Sequence, residues 1–289
     1  MSIKRLLPQW VGVVVLTGFT VLASAMPRIS PELRNSSVFL FHHENGKDFV
    51  GHGTGFLIRF QSPSVEKKEV CYLITAKHVL YLDDKPLPSL TMRLNKAGGD
   101  AEMRKIELAL SGPTQNVWFH ADGVADAAAI QIDCPDPKEY NITLLSEEMV
   151  LTRQGMTDLQ IAEGSEMFYS GMLIHHIGTE GNAPHIRCGR LSMIPAEKVN
   201  WEGAKRELYL ADITIFGGSS GSPAFFAWYK GGNENASGDS GFKLGGIMIG
   251  AINIKTGDNI DNSGISAITP AYKLSEILTS GPVKSARGF

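Results

Sequence analysis

Short runs of β-branched and aromatic residues, bounded by Gly, Pro, Asp and Asn, recur along the chain, whereas helical periodicity is scarce. This pattern predicts six strands in each half. In the first half they are Ser37–His43, Gly53–Phe60, Val70–Thr75, Leu90–Leu94, Lys105–Leu110 and Ala127–Ile132. In the second half they are Glu166–Met172, Ile186–Ile194, Leu208–Thr214, Ser222–Trp228, Leu244–Ile252 and Ile265–Thr269. Regular short strands with turn signals are typical of barrels or sandwiches.

Two segments interrupt this pattern with helical character. Ala76–Tyr81 is predicted as a single turn after a strand. Pro270–Leu278 is predicted as a terminal helix, with Pro270 at the first helical position. The polar, glycine-rich stretch Lys230–Lys243 is predicted as a hairpin loop.

The N-terminal segment has the features of an export signal. Lys4 and Arg5 precede the apolar run Trp10–Leu22, and Ala23-Ser24-Ala25 offers a small-residue cleavage site. Because the run is shorter than the roughly 20 residues of a spanning helix, a cleaved signal over residues 1–25 is favoured over an anchor. We therefore expect an exported protein, periplasmic or secreted, without stable membrane association after cleavage.

Composition narrows the possible partners. The chain has 289 residues, of which 43% are hydrophobic and 20% charged, which is ordinary for a globular protein with a buried core. Its formal charge of −3 provides no basic surface, so we expect no nucleic-acid partner.

Cysteine and histidine usage gives no sign of a metal or cofactor. Three cysteines allow at most one disulfide and have no metal-binding spacing. The histidines form two loose groups without the spacing of a zinc site, and we expect them to be solvated loop residues: His42, His43 and His52, then His175, His176 and His185.

A glycine- and serine-rich stretch, Gly218-Ser219-Ser220-Gly221-Ser222-Pro223, separates two predicted strands. One interpretation is a turn, since Gly and Ser supply positive φ and local hydrogen bonds. The other is a loop that presents a reactive serine. The sequence of this stretch alone favours the turn.

Two further residues also allow either a structural or a catalytic interpretation. His78 follows an apolar strand, and Asp126 opens the apolar strand Ala127–Ile132. Each taken alone is better explained as an ordinary surface histidine or a turn aspartate. Asp122 and Asp133 are weaker candidates than Asp126, because one lies in the loop and the other at the far strand end.

The three residue types together have a defined chemistry. A serine hydroxyl is a poor nucleophile until a neutral imidazole removes its proton, and a carboxylate on the other ring nitrogen orients that imidazole. The glycines beside Ser220 allow backbone N–H groups to point at a developing oxyanion. The chain order His78, Asp126, Ser220 differs from the Ser, acid, His order of α/β-hydrolases, which argues against an esterase of that type.

On these motifs the chain resembles the trypsin/chymotrypsin-like serine protease family. Further matching motifs are Gly53-Thr54-Gly55, Cys188-Gly189 and Leu244-Gly245-Gly246, with the bacterial high-temperature-requirement and glutamyl endopeptidase branches nearest. The resemblance implies an all-β fold of two six-stranded antiparallel Greek-key barrels, over residues 35–145 and 155–280, with a short C-terminal helix. It also implies a catalytic triad of His78, Asp126 and Ser220, with an oxyanion hole formed by the backbone N–H groups of Gly218 and Ser220. Ser219 and Ser222 do not fit the position of the nucleophile in the family motif.

The sequence departs from the family in its specificity positions. Thr214 stands where trypsin-type enzymes carry the acid that attracts Arg or Lys, so we do not expect selectivity for basic residues. Gly246-Ile247-Met248 stands where glutamyl endopeptidases carry a histidine. We expect a small apolar primary pocket formed by Thr214, Met248, Ile249 and Gly250.

The family's histidine-bracketing disulfide is also absent, because Val79 occupies the cysteine position. In the implied barrel the strand entering His78 runs antiparallel to the strand leaving Asp126. Cys71 and Cys134 would then fall at the same far end, and we expect a Cys71–Cys134 disulfide with Cys188 as a free thiol.

The expected function is therefore that of an exported serine endopeptidase. It would hydrolyse peptide bonds of a protein or peptide substrate through an acyl-enzyme, without a cofactor. The alternative is a protease-like binding protein that has the fold but no turnover. The contact between His78 and Ser220 and the shape of the oxyanion loop distinguish the two.

Overall fold

The computed structural model describes residues 28–44, 47–61, 69–230, 239–256 and 259–287. The predicted signal peptide lies outside these residues, and most of the predicted hairpin loop Lys230–Lys243 does too. Among the described residues, no helix combines the length and the apolar character needed to cross a membrane.

Strands dominate the N-terminal half. They are β1 Ser37–Glu44, β2 Lys47–Gln61, β3 Glu69–Thr75, β4 Tyr81–Leu82, β5 Lys85–Pro86, β6 Ser89–Asn95, β7 Ala101–Glu107, β8 Val117–Phe119, β9 Ala128–Ile132 and β10 Leu145–Ser146. Seven of them form a curled antiparallel sheet in the order β7-β6-β1-β2-β3-β9-β8, with β10 added parallel to β2. The remaining two, β4 and β5, form a small hairpin after His78.

The C-terminal half forms a closed barrel. Its strands and an additional hairpin are β11 Glu166–Gly171, β12 His185–Met193, β13 Val199–Trp201, β14 Ala204–Arg206, β15 Tyr209–Asp212, β16 Pro223–Tyr229, β17 Ser240–Thr256 and β18 Asn259–Pro270. The barrel closes in the order β11-β12-β15-β18-β17-β16, and β13 pairs only with β14. The all-β prediction is confirmed, although the N-terminal sheet is a half-barrel.

All twelve predicted strands exist. Their centres follow continuous apolar runs, as in β3, where every residue after the first is buried. The predicted strand Lys105–Leu110 is wrong in its bounds, because the real strand β7 begins at Ala101 and ends at Glu107. β7 lies at one edge of the sheet and pairs with β6. Its charged residues are typical of an edge strand, because charges there prevent unwanted pairing with other chains. The six strands that the pattern missed have only two or three residues.

Short helices complete the fold: α1 Pro31–Arg34, α2 Arg153–Asp158, α3 Ala271–Leu278 and α4 Gly281–Ala286, with 3₁₀ turns at Lys77–Leu80 and Glu147–Met149. The terminal helix exists as predicted, but Pro270 is its N-cap rather than its first residue. From the end of α4, Arg287 reaches back to the N-terminal sheet. Its guanidinium lies 3.9 Å from the centroid of the Phe60 ring and donates to Tyr72 Oη at 3.2 Å.

The Cys71 and Cys134 sulfur atoms are 2.15 Å apart, and their Cα atoms are 5.1 Å apart. Cys71 lies directly opposite Ile132 in the β3–β9 pairing, so the bridge joins the ends of these two strands. These are the strands that lead to His78 and away from Asp126. Cys188 is an exposed free thiol.

We predict that Cys71→Ser destabilises the protein by about 2–5 kcal/mol, because the bridge closes a loop with a sequence separation of 63. The measurement is urea unfolding of the wild-type and variant proteins, with Cys188→Ser as the control that removes a thiol without removing a bridge. Coincident unfolding curves for wild type and Cys71→Ser would contradict the prediction.

Candidate active site

The two sheets meet where β3 ends, and His78 lies in the 3₁₀ turn that follows. Its imidazole Nδ1 lies 2.7 Å from Asp126 Oδ2, and its backbone N–H donates to Asp126 Oδ1 at 3.0 Å. One carboxylate therefore fixes both the ring and the main chain of His78. The imidazole is 45% exposed, so it remains open to solvent.

Asp126 lies two residues before the start of β9, and its side chain is only 4% exposed. A buried carboxylate requires compensating donors, and here His78 provides two of them. Thr269 Oγ1 donates to the backbone carbonyl of Asp126 at 3.1 Å, which ties this residue to the C-terminal barrel. Burial raises the pKa of Asp126, but the hydrogen bonds and charge of His78 outweigh it and hold the pKa below its ordinary value.

The pKa of His78 moves in the opposite direction. Burial lowers it, whereas the hydrogen bond and negative charge of Asp126 raise it, and the net result lies above the ordinary value. The carboxylate thus stabilises imidazolium, which is what a general base needs after it has taken a proton.

The weaker aspartate candidates have other roles. Asp122 accepts from the backbone N–H groups of Val124 and Ala125 and pairs with Lys273 at 3.0 Å, so it organises the loop before Asp126. Asp133 is exposed at the far end of β9. Neither faces His78.

Among the three serines of the glycine-rich loop, only Ser220 is accessible. Ser219 and Ser222 are fully buried, and Ser219 Oγ donates to the Met172 carbonyl at 3.0 Å. Ser220 Oγ forms no hydrogen bond with His78 in the described part of the chain. A serine χ1 rotation moves the hydroxyl among three staggered positions, and such contacts commonly tighten only when substrate binds.

The loop is shaped by two consecutive turns. Ser219 N–H donates to Phe216 O at 3.0 Å around Gly218, which has φ +89°. Ser222 N–H then donates to Ser219 O at 3.0 Å around Gly221, which has φ +88°. Positive φ at the third residue of each turn is the type II pattern, which explains the requirement for glycine.

Every carbonyl from residue 213 to residue 220 has a donor. Two are the turn bonds above, and the other six are served by neighbouring elements: Ser266 Oγ to Ile213 O, Tyr169 Oη to Thr214 O, Asn262 Nδ2 to Ile215 O, Ile174 N to Gly217 O, Thr54 Oγ1 to Gly218 O and Thr54 N to Ser220 O. Within the described residues, the N–H groups of Gly218 and Ser220 have no acceptor. They are thus available for an anionic oxygen.

Thr54 is the residue that links the two sheets at this loop. Its hydroxyl donates to Gly218 O at 2.7 Å and accepts from Met172 N at 2.9 Å, while its own N–H donates to Ser220 O at 2.8 Å. The motif Gly53-Thr54-Gly55 did not by itself indicate this role of Thr54. The available signal in the sequence was a threonine between two glycines at the start of an apolar strand.

The expected primary pocket is only partly accessible. Met248 and Ile249 are buried, at 0% and 4% exposure, and Met248 pairs by its backbone with Gly221 and Ser222. Thr214 and Gly250 are half-buried, and Gly250 faces the Trp201 indole. The backbone of Met248 thus holds the serine loop, while the composition of the primary pocket stays a prediction.

The expectation of solvated loop histidines is wrong for His42, which lies in β1 and is 5% exposed. It is also wrong for His52 and His185, which are half-buried in β2 and β12. The rings of His42 and His52 lie 4.6 Å apart, and His185 Nδ1 lies 2.9 Å from Gly171 O. Within the described part of the chain, no group of three or more His, Cys, Asp or Glu side chains is arranged to hold a metal ion.

A curled antiparallel sheet and a closed barrel that meet at a His–Asp pair and a glycine-rich serine loop define the chymotrypsin-like fold. No family model and no curated protein matches the chain in sequence. In structure it is similar to the MamO protease domain from Magnetospirillum magneticum in its apo form, with a TM-score of 0.51 and 16% identity over 86% of this chain and 98% of that one. A second match is the inactive form of a serine-to-alanine mutant of Rv3671c from M. tuberculosis H37Rv. Its TM-score is 0.44 and its sequence identity is 15%, over 88% of this chain and 95% of that one. At these identities the likeness to the MamO domain shows a trypsin-like protease fold.

We predict that Asp126→Asn lowers the pKa of His78, because the carboxylate charge that opposes burial is removed. The measurement is a ¹H–¹⁵N NMR titration of the imidazole. Asp133→Asn makes the same chemical change at an exposed position and serves as the control. An unchanged His78 titration in Asp126→Asn would contradict the electrostatic role of the pair.

Proposed function

We propose that the protein is an exported serine endopeptidase that hydrolyses peptide bonds through an acyl-enzyme. The observation that supports it most is the combination, at one junction, of the His78–Asp126 pair and the two unoccupied N–H groups of Gly218 and Ser220. Acyl transfer requires a general base and a stabilised oxyanion, and a structural turn requires neither.

In this proposal Ser220 is the nucleophile. As its oxygen bonds to the scissile carbonyl carbon, its proton passes to His78 Nε2, and Asp126 stabilises the resulting imidazolium. The carbonyl oxygen becomes an anion facing the N–H groups of Gly218 and Ser220. His78 then protonates the departing amine, and a water molecule repeats the sequence on the acyl-enzyme.

One observation favours a second candidate, a protease-like binding protein without turnover. In the described part of the chain, no hydrogen bond joins Ser220 to His78. If that separation persists with substrate, the serine is not activated. The same labelling experiment tests both candidates.

We predict that a fluorophosphonate probe labels the wild-type protein at Ser220, because displacement of fluoride by the serine oxygen requires the base and the oxyanion hole. Peptide mapping of the adduct identifies the residue. Ser220→Ala should lose labelling and lower any peptidase activity about 10⁶-fold. Ser222→Ala removes a buried hydroxyl that has no hydrogen-bond partner among the described residues, and as the matched control it should keep both labelling and activity. Folded wild-type protein that resists labelling would support the binding-protein candidate.

We predict that Thr54→Val lowers kcat about tenfold or more. The Gly218 carbonyl loses its hydrogen-bond donor, and the turn that positions the Gly218 and Ser220 N–H groups is then less firmly held. Steady-state kinetics on a peptide substrate provide the measurement. Thr54→Ser keeps the hydroxyl and should stay near wild type. Equal kcat in Thr54→Val and Thr54→Ser would show that the turn does not depend on this bond.

A further inference from the structure

A small hairpin of the C-terminal half reaches the His78–Asp126 pair. Its strands β13 and β14 are joined by the two-residue turn Glu202-Gly203, with φ +48° and +77°. Positive φ at both residues is the type I′ geometry that suits tight hairpins. The turn therefore fixes the direction in which β14 leaves it.

Successive side chains of β14 lie on opposite faces of the strand, so its residues line two different cavities. Ala204 and Arg206 line a cleft of about 370 Å³ that also contains His78 and Asp126. Lys205 lines a different cavity, of about 550 Å³. The hairpin thus presents one guanidinium to the proposed catalytic pair.

Arg206 is well placed to act on that pair. Its side chain is 15% exposed, and its Nη1 lies 3.7 Å from Asp126 Oδ2. Its Nη2 lies 3.6 Å from Glu202 Oε2 at the hairpin turn. Since His78 Nδ1 also lies at Asp126 Oδ2, at 2.7 Å, one carboxylate oxygen serves both the imidazole and the guanidinium.

We propose that Arg206 is a positioning residue of the site: it holds the Asp126 carboxylate from the C-terminal half and limits how strongly that carboxylate stabilises the protonated imidazole. The importance of this for turnover depends on the proposed function, but the effect on His78 does not. A guanidinium remains charged at all relevant pH values, so its influence is permanent.

The groups around His78 shift the pKa of its imidazole in both directions. Asp126 and Glu202 raise the pKa of the imidazole, whereas burial and Arg206 lower it. Lys77 and Asp84 line the same cleft, and His52 approaches from β2. Of these groups, Arg206 and Glu202 belong to the hairpin, so the hairpin carries two opposing charges that can be removed separately.

The test is an NMR titration of His78 in Arg206→Met. We expect the pKa of His78 to rise, since a cation beside the imidazolium is removed. Because catalysis needs the neutral imidazole, the acid limb of kcat/KM should move to higher pH, with a severalfold loss at low pH and a smaller change on the plateau. Arg206→Lys keeps a cation and should restore much of the wild-type profile. Lys205→Met removes the same charge from the opposite face of β14 and should leave the His78 titration unchanged.

A second variant should shift the pKa of His78 in the opposite direction. Glu202→Gln removes the anion that pairs with Arg206, and the pKa of His78 should fall. It also keeps the test available if Arg206→Met does not fold. An unshifted His78 titration in folded Arg206→Met, or a uniform loss of activity at every pH, would overturn the proposal. A wild type without turnover whose His78 still shifts as described would refute the peptidase function and leave the role of Arg206 intact.

Discussion

The buried carboxylate of Asp126 is the constraint around which the junction of the two sheets is built. A charge that is 4% exposed is stable only with several donors, and they come from different parts of the chain. His78 supplies its ring and its backbone, Arg206 approaches from the β13–β14 hairpin, and Thr269 fixes the Asp126 main chain. The groups that surround this one residue therefore bring together the ends of β3, β14 and β18.

In the serine loop, the backbone groups are subject to the same requirement for hydrogen-bond partners. Its carbonyls from residue 213 to residue 220 are all paired, several of them with side chains from strands remote in sequence, whereas the Gly218 and Ser220 N–H groups have no acceptor among the described residues. At Gly221 a Cβ atom would lie 2.0 Å from the Thr54 carbonyl oxygen. The close approach of the loop to β2 thus excludes any side chain at that position. The conformation of the loop is therefore fixed by its hydrogen bonds and by its contact with β2.

Much of the fold could be predicted from the sequence because its strands follow long apolar runs, as in β3 and β16. The bounds of the charged edge strand β7 and the existence of the hairpin β13–β14 could not be, since pairing rather than hydrophobicity defines them. For the site, the ordered motifs and the family resemblance pointed to His78, Asp126 and Ser220, and the structure places the first two in contact, while Ser220 as the nucleophile stays a prediction. Arg206 was missed because its partner lies 80 positions away in sequence and no local pattern marks it. Met248 was expected in the pocket wall, and it is fully buried beside an irregularity in the β17–β18 pairing, so its place in a pocket stays a prediction.

The contact of Arg287 with Tyr72 spans 215 positions and has a consequence for the order of assembly. The N-terminal sheet acquires this cover only after Arg287 has been synthesised, and contacts of such long range are slow to form. Asp126 and Thr269 are similarly separated by 143 positions. A nascent chain therefore lacks the junction between the two sheets until Thr269 and Arg287 have been added.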